Sequence, residues 1–181
     1  MKISVENTNE LGLEIASQKI SSAATSINSS RLPAIYKLVD FAPGSVNLDF
    51  GGGKFDNAIN FVKDRGATLI VYDPYNRSSQ HNKDALDIIR SNGGADNVVN
   101  SNVLNVIAEP ESRLAVIKNI HTLLKTGGNA YFTVYEGDKS GEGKKTKAGY
   151  QLNKVTSDYL EEIQKIFPDA KRKGKLILAT K

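Results

Sequence analysis

The chain has 181 residues, 39% of them hydrophobic, no cysteine, and 24 Lys and Arg against 20 Asp and Glu for a formal charge of +4. That length suits one domain with a real core, and that balance excludes a disordered, collagenous or disulfide-stapled chain. Thiolate chemistry and cysteine-type zinc sites are excluded too, while the mild positive charge suits an anionic partner without requiring one.

The opening Met1-Lys-Ile-Ser-Val-Glu6 carries no apolar leader, and no segment approaches the ~20 apolar residues of a membrane span. The default expectation is a soluble, cytoplasmic protein with no membrane partner. Residues 1–30 are polar, with serines at Ser21, Ser22, Ser26, Ser29 and Ser30, and are expected to pack weakly. Arg31–Phe41 reads as a short lead-in helix with Pro33 in its first turn, stopped by Pro43-Gly44. Residues 1–44 are thus read as an N-terminal extension and residues 45–181 as the domain.

From Ser45 onward apolar-rich strands alternate with helices. The predicted strands are Ser45–Phe50, Thr68–Tyr72, Asn97–Asn102, Asn129–Glu136 and Lys175–Thr180. Phe55–Arg65 gathers Phe55, Ala58, Ile59, Phe61 and Val62 on one side of a helix, with Asp56, Asn57, Asn60, Lys63 and Asp64 opposite. His81–Arg90 reads as a second helix. Glu111–Leu124 carries an apolar stripe and meets a glycine stop at Gly127-Gly128. Thr156–Phe167 is capped by Thr156 or Ser157 and closed by Pro168. The alternation predicts an α/β fold, a doubly wound, mostly parallel sheet covered on both faces. Glu136–Gly149, rich in Gly and Lys, reads as a flexible loop.

Three glycines, Gly51, Gly52 and Gly53, join the first strand to its helix. Such a turn opens the positive-φ region and clears side chains so that a ligand can touch the backbone at a helix N-terminus. It can equally serve only to pack a helix back on its strand. Asp49 just before the glycines needs a partner if buried. Asp73, ending the second strand, stands where doubly wound folds place an acid on a ribose. Turn and acid together point to a nucleoside-type ligand.

Asp49-Phe-Gly-Gly-Gly-Lys-Phe55 resembles the Asp/Glu-x-Gly-x-Gly-x-Gly signature of class I S-adenosylmethionine-dependent methyltransferases, with Phe55 in place of the third glycine. The dinucleotide pattern Gly-x-Gly-x-x-Gly fits less well, because Asp56 would face a pyrophosphate. Ala95–Ile107 is similar to the family's fourth-strand pattern, and Leu123-Leu-Lys-Thr-Gly-Gly128 to the turn before its fifth strand. The resemblance covers roughly residues 45–136 and implies a Rossmann-like fold with S-adenosylmethionine as cofactor. It implies Asp49, Gly51, Gly52 and Gly53 at the methionine side, Asp73 accepting from both ribose hydroxyls, and Pro74 or Tyr75 over the adenine. The backbone around Asn100 and Ser101 would meet the amino acid end. Only about 24 residues separate Asp73 from the next strand, so the family's third strand has no room.

Methyl transfer to an acceptor needs alignment above all, and a general base is optional. Candidate acceptor-side residues are Asn100, Asn102, Tyr135 and Glu136, with Tyr72, Asn76 and Arg77 after the second strand; each has an ordinary packing or surface role as its alternative. His81 and His121 have no ligand partner one turn away, so no metal is expected. Lys139, Lys144, Lys145 and Lys147 read as a solvated loop or a lid over an anion, and Lys171, Arg172, Lys173 and Lys175 as guards of a sheet edge. The charge tilts the acceptor toward nucleic acid or another anionic molecule. Small-molecule O- or N-methylation, a non-catalytic cofactor-binding regulator and another nucleoside ligand stay open.

Overall fold

The structure, a computed structural model, describes residues 8–25 and 30–181. The opening residues 1–7 and two of the patch serines, Ser26 and Ser29, lie outside the described residues. In chain order the elements are a 3₁₀ turn at Ala34–Lys37, β1 Val46–Phe50, α1 Asn57–Lys63, β2 Thr68–Tyr72, α2 Ser79–Ser91 and β3 Ala95–Ser101. A 3₁₀ turn at Leu104–Val106 leads to α3 Pro110–Leu123 and β4 Leu124–Thr133. Then come β5 Gly143–Lys145, β6 Tyr150–Leu152, a 3₁₀ turn at Thr156–Tyr159 running into α4 Leu160–Gln164, β7 Lys171–Lys173 and β8 Leu176–Thr180.

Six strands form one sheet in the order β2-β1-β3-β4-β8-β7. The first four are parallel, and β8 and β7 return antiparallel. One helix alone connects β2 to β3, and β2 is the outermost strand on its side, so the sheet is shortened as its loop length demands. Its inner strands are buried on both faces because both are covered, with Asn47, Asp49, Asn97 and Asn100 as buried polar residues among the apolar ones. In β3, Val98 joins a core with Leu86 and Ile89 of α2, Val116, Ile117 and Ile120 of α3 and Ile163 of α4. Its neighbour Val99 points the other way, to Ile35, Tyr36, Phe41, and Ala58 and Val62 of α1. No helix among the described residues is long and apolar enough to cross a membrane.

Several elements differ from their sequence expectation. The lead-in helix shrinks to four residues, since proline biases Leu32 away from helical angles and Leu38 ends the turn. Helix α1 begins two residues after Phe55, because Phe55 and Asp56 are held in the glycine bend. Helix α2 starts earlier than expected, capped by the Ser78 hydroxyl on the His81 N–H at 3.1 Å. The glycines after α3 do not form a loop: β4 begins at once, and Gly127 and Gly128 sit at an irregularity in its pairing with β3. Neither Thr156 nor Ser157 caps α4; the Thr156 hydroxyl instead bonds Glu136. Residues 136–149 are not a plain flexible loop: Gly143–Lys145 pairs with Tyr150–Leu152 in register as a hairpin. Lys171–Lys173 forms β7, the edge strand itself.

The largest correction concerns the N-terminal segment. Residues 8–25 are fastened to the body by bonds between partners far apart in sequence. The Glu14 N–H donates to Asn119 Oδ1 at 2.8 Å and the Asn119 amide donates back to the Glu14 carbonyl at 3.0 Å. Ser112 Oγ donates to the Ser17 carbonyl, Arg90 to the Leu11 carbonyl, and the Lys19 N–H to Glu109 at 3.0 Å. Leu13 is 1% exposed within the core of α2 and α3. The segment's polarity misleads because side chains of α3 satisfy its backbone; the extension shares its core with the domain.

Candidate active site

The bend after β1 follows from its glycines. Gly51 and Gly53 have φ of +89° and +75°, where other residues are strained. Gly52 is fixed by space: a Cβ there would lie 2.7 Å from Asp49 Cγ and 2.8 Å from Val71 Cγ1. Three charged side chains hold the bend. The Gly53 N–H donates to Asp73 Oδ2 at 2.8 Å. Arg77 donates from Nε to the Gly53 carbonyl at 2.7 Å and from Nη2 to the Phe55 carbonyl at 3.1 Å, and pairs with Asp56 at 2.8 Å. Arg77, an acceptor-side candidate by sequence, is therefore a clamp on the bend.

Beneath the bend Asp49 is 4% exposed. The Tyr36 hydroxyl, itself buried, donates to Asp49 Oδ2, while Oδ1 has no partner. Burial pushes the Asp49 carboxyl up to about 7; the Tyr36 hydrogen bond opposes this, Asp73 adds to it, and Arg77 opposes it. The Tyr36 hydroxyl is raised in turn by burial and by the Asp49 charge. Sequence reasoning missed Tyr36, since only tertiary packing brings it to the strand thirteen residues later.

Asp73 is almost fully engaged. Its Oδ1 accepts from the N–H groups of Tyr75 and Asn76 at 2.9 and 3.0 Å and from the Asn76 amide at 3.3 Å, and its Oδ2 from Gly53. With about two lone-pair positions per oxygen, one position on Oδ2 is left, enough for one hydroxyl rather than both.

These residues open into a cavity of about 480 Å³. Asp49, Gly51, Gly52, Gly53, Asp73, Pro74 and Tyr75 line one part, with Ser101 and Asn102 at the end of β3. The far wall is the N-terminal segment, through Glu14, Ile15, Gln18, Ser22 and Thr25, which no local sequence signal announced. The buried Gln18 Oε1 has no partner. Phe55, 36% exposed, lines the rim beside Lys54 and leaves the bend open. Asn102 takes a left-handed φ of 57° and is pinned by its N–H to the Thr133 carbonyl at 2.9 Å.

The other candidates lie elsewhere. Asn100 is behind the lining, its amide tying β3 to the Phe50 carbonyl at 2.8 Å. Tyr135 is 62% exposed and does not line the cavity. Glu136 does not line it either; its carboxylate accepts from the Thr156 N–H and hydroxyl, both at 2.9 Å, which with Lys175 and Lys139 hold it down at about 2. Lys139, Lys144, Lys145 and Lys147 are absent from the cavity wall, and Lys144 is paired with Asp138 at 2.6 Å. The lean toward nucleic acid rested on charge, and none of these lysines brings its charge to the cavity. His81 bonds the Val71 carbonyl at 2.7 Å, and His121 packs on Phe167 with ring centres 5.0 Å apart.

None of the curated proteins matches the chain in sequence. Among solved structures it is similar to PigF with S-adenosylhomocysteine, at 19% identity and a TM-score of 0.57 over 81% of this chain and 53% of that one. The chain thus spans about half of PigF. It is similar to the Burkholderia thailandensis 1,6-didemethyltoxoflavin-N1-methyltransferase, at 15% identity and TM-score 0.57 over 77% of this chain and 72% of that one. An S-adenosylmethionine-dependent methyltransferase from Mesorhizobium loti matches at 11% identity and TM-score 0.54 over 84% of this chain and 97% of that one. At these identities the likeness is one of fold. The family model described as a methyltransferase domain matches residues 27–176, most of the chain including the bend, Asp49 and Asp73, and the chain belongs to that family.

Proposed function

We propose that the chain is an S-adenosylmethionine-dependent methyltransferase whose acceptor is a small molecule rather than nucleic acid. The observation that carries this is a side-chain-free bend set over a buried carboxylate with one unpaired oxygen, opening into a cavity walled by residues 14–25. A positively charged amino acid end suits that place, since Asp49 pays for its burial unless a cation or donor meets Oδ1. One ribose hydroxyl would reach Asp73 Oδ2, with Pro74 and Tyr75 beside the base and the Gln18 amide opposite. Bound there, the cofactor would supply a methyl carbon already activated by its sulfonium.

The protein's part is then to align and to exclude water. Ser101 and Asn102 stand where an acceptor would approach, and residues 14–25 shut the far side. The enclosure supports a small acceptor, as does the Burkholderia relative, whose structure holds 1,6-didemethyltoxoflavin and S-adenosylhomocysteine. The test is calorimetric titration with S-adenosylmethionine, S-adenosylhomocysteine and NAD. The first two should bind and NAD should not; absence of binding by both sulfur nucleosides overturns the reading.

A further inference from the structure

A second cavity of about 280 Å³ shares Pro33, Ser101 and Asn102 with the first. Its remaining wall is largely apolar, through Leu38, Val134 and Leu176, and two lysines, Lys173 and Lys175, complete it. Strand register explains why these meet. Phe132 of β4 faces Ile177 of β8, so Leu176 comes level with Thr133 at the C-terminal end of β4. This is the end of the parallel strands at which the glycine bend and Asn102 also lie. Gly174, at φ +61°, turns β7 into β8 there and sets a lysine on either side.

The charge of this corner is unbalanced. Lys175 lies 3.6 Å from Glu136 Oε2, and Lys139 lies 3.7 Å from the same oxygen. Glu136 Oε1 is already occupied by the Thr156 N–H and hydroxyl. One carboxylate therefore answers two lysines, and Lys173 brings a third positive charge that meets no carboxylate within 4.0 Å among the described residues. Leu38, 57% exposed, offers an uncovered apolar surface beside them. An apolar chamber ending in surplus cations suits a ligand with an apolar body and one anionic group.

We propose that this second cavity receives the methyl acceptor and that the acceptor is a small organic anion, its ring or chain against Leu38, Val134 and Leu176 and its acidic group beside Lys173 and Lys175. The proposal rests on the reading of the first cavity as the cofactor site, because Ser101 and Asn102 join the two. Asn102 becomes the point at which cofactor and acceptor meet, which gives its left-handed backbone a use.

The test uses the full chain saturated with S-adenosylhomocysteine and follows benzoate binding by saturation-transfer NMR, with benzamide as the uncharged probe of the same shape. Benzoate should bind, benzamide about fivefold more weakly, and the double variant Lys173→Glu/Lys175→Glu should hold benzoate about tenfold more weakly. Its affinity for S-adenosylhomocysteine should stay within about twofold, since neither lysine touches the first cavity. Leu38→Trp, which fills the chamber, should exclude benzoate and spare the nucleoside. Absence of benzoate binding, equal binding of the two probes, or equal binding by the charge-reversed variant overturns the proposal. Failure of wild type to bind S-adenosylhomocysteine would instead strike the cofactor reading.

Discussion

The two walls of the larger cavity are built by different means. The glycine bend is a local device: its contacts run between residues of one strand-turn-helix unit and the strand beside it, with Asp73 and Arg77 reaching back 20 and 24 positions. The opposite wall is sewn on by bonds that span about a hundred positions, such as Glu14 to Asn119 and Ser17 to Ser112. The first wall is fixed by backbone geometry and hard contacts. The second is fixed by a handful of side chains whose loss would leave the sheet intact.

The contrast can be broken most severely at Gly52. Gly52→Ala puts a methyl group into Asp49 and Val71, so it should cost about 1–3 kcal/mol of stability. Displacing Asp49 should weaken S-adenosylhomocysteine binding about a hundredfold; calorimetry showing near-normal affinity would end the claim that the bend is space-limited.

Asp49→Asn sharpens it next. The folded carboxyl titrates at about 7, against about 3.9 unfolded, so the folded state holds the proton more tightly. Wild-type stability should therefore fall as pH rises from about 4 to 7 and level off above, and asparagine, which still accepts from Tyr36, should remove that slope. The variant should gain on wild type across this window, by about 2–4 kcal/mol at its upper end, while losing about tenfold or more in nucleoside affinity. Wild-type affinity should itself tighten from pH 6 to 8, as the ionised carboxylate is what the ammonium needs. Parallel melting curves for the two proteins at pH 4 and pH 8 would contradict this.

The smallest effect belongs to the far wall. Asn119→Ala removes both bonds to Glu14 and should cost about 1–2 kcal/mol by urea denaturation. Nucleoside affinity should fall by about threefold, far short of the Gly52→Ala loss, because Asn119 and the wall it holds line the cavity while the bend is untouched. A loss as large as that of Gly52→Ala would show that the two walls are not separable.

The same contrast governs what could be read from sequence. The alternation of strands and helices along the chain, the glycine bend, both acids and the shortened sheet were legible, because alternating and helical periodicities and a glycine run are local signals. The bend's partners were half-legible: Asp73 was picked out, but all except one of its acceptor positions go to Gly53, Tyr75 and Asn76, and Arg77 was seen without its role. Tyr36 and residues 14–25 were illegible, since a polar, serine-rich stretch becomes a wall only when α3 supplies Asn119 and Ser112 and the residue before it, Glu109, joins them. The hairpin at 143–152 hid behind its glycines and lysines, where cross-strand pairing rather than apolar alternation makes the strands. Tyr135 and Glu136 show the reverse error: strand-end position suggested chemistry, and the structure gives one to solvent and the other to Thr156.

Leu13 carries one further consequence. It is a buried anchor of the far wall, seated among α2 and α3 between the lining residues Asn9 and Glu14. Unseating a leucine exposes apolar area worth about 2 kcal/mol, a factor of about thirty. Apolar burial is therefore one of the fastenings on that side, beside the hydrogen bonds of Glu14, Ser17 and Lys19, and cooling, which weakens apolar burial, would loosen it.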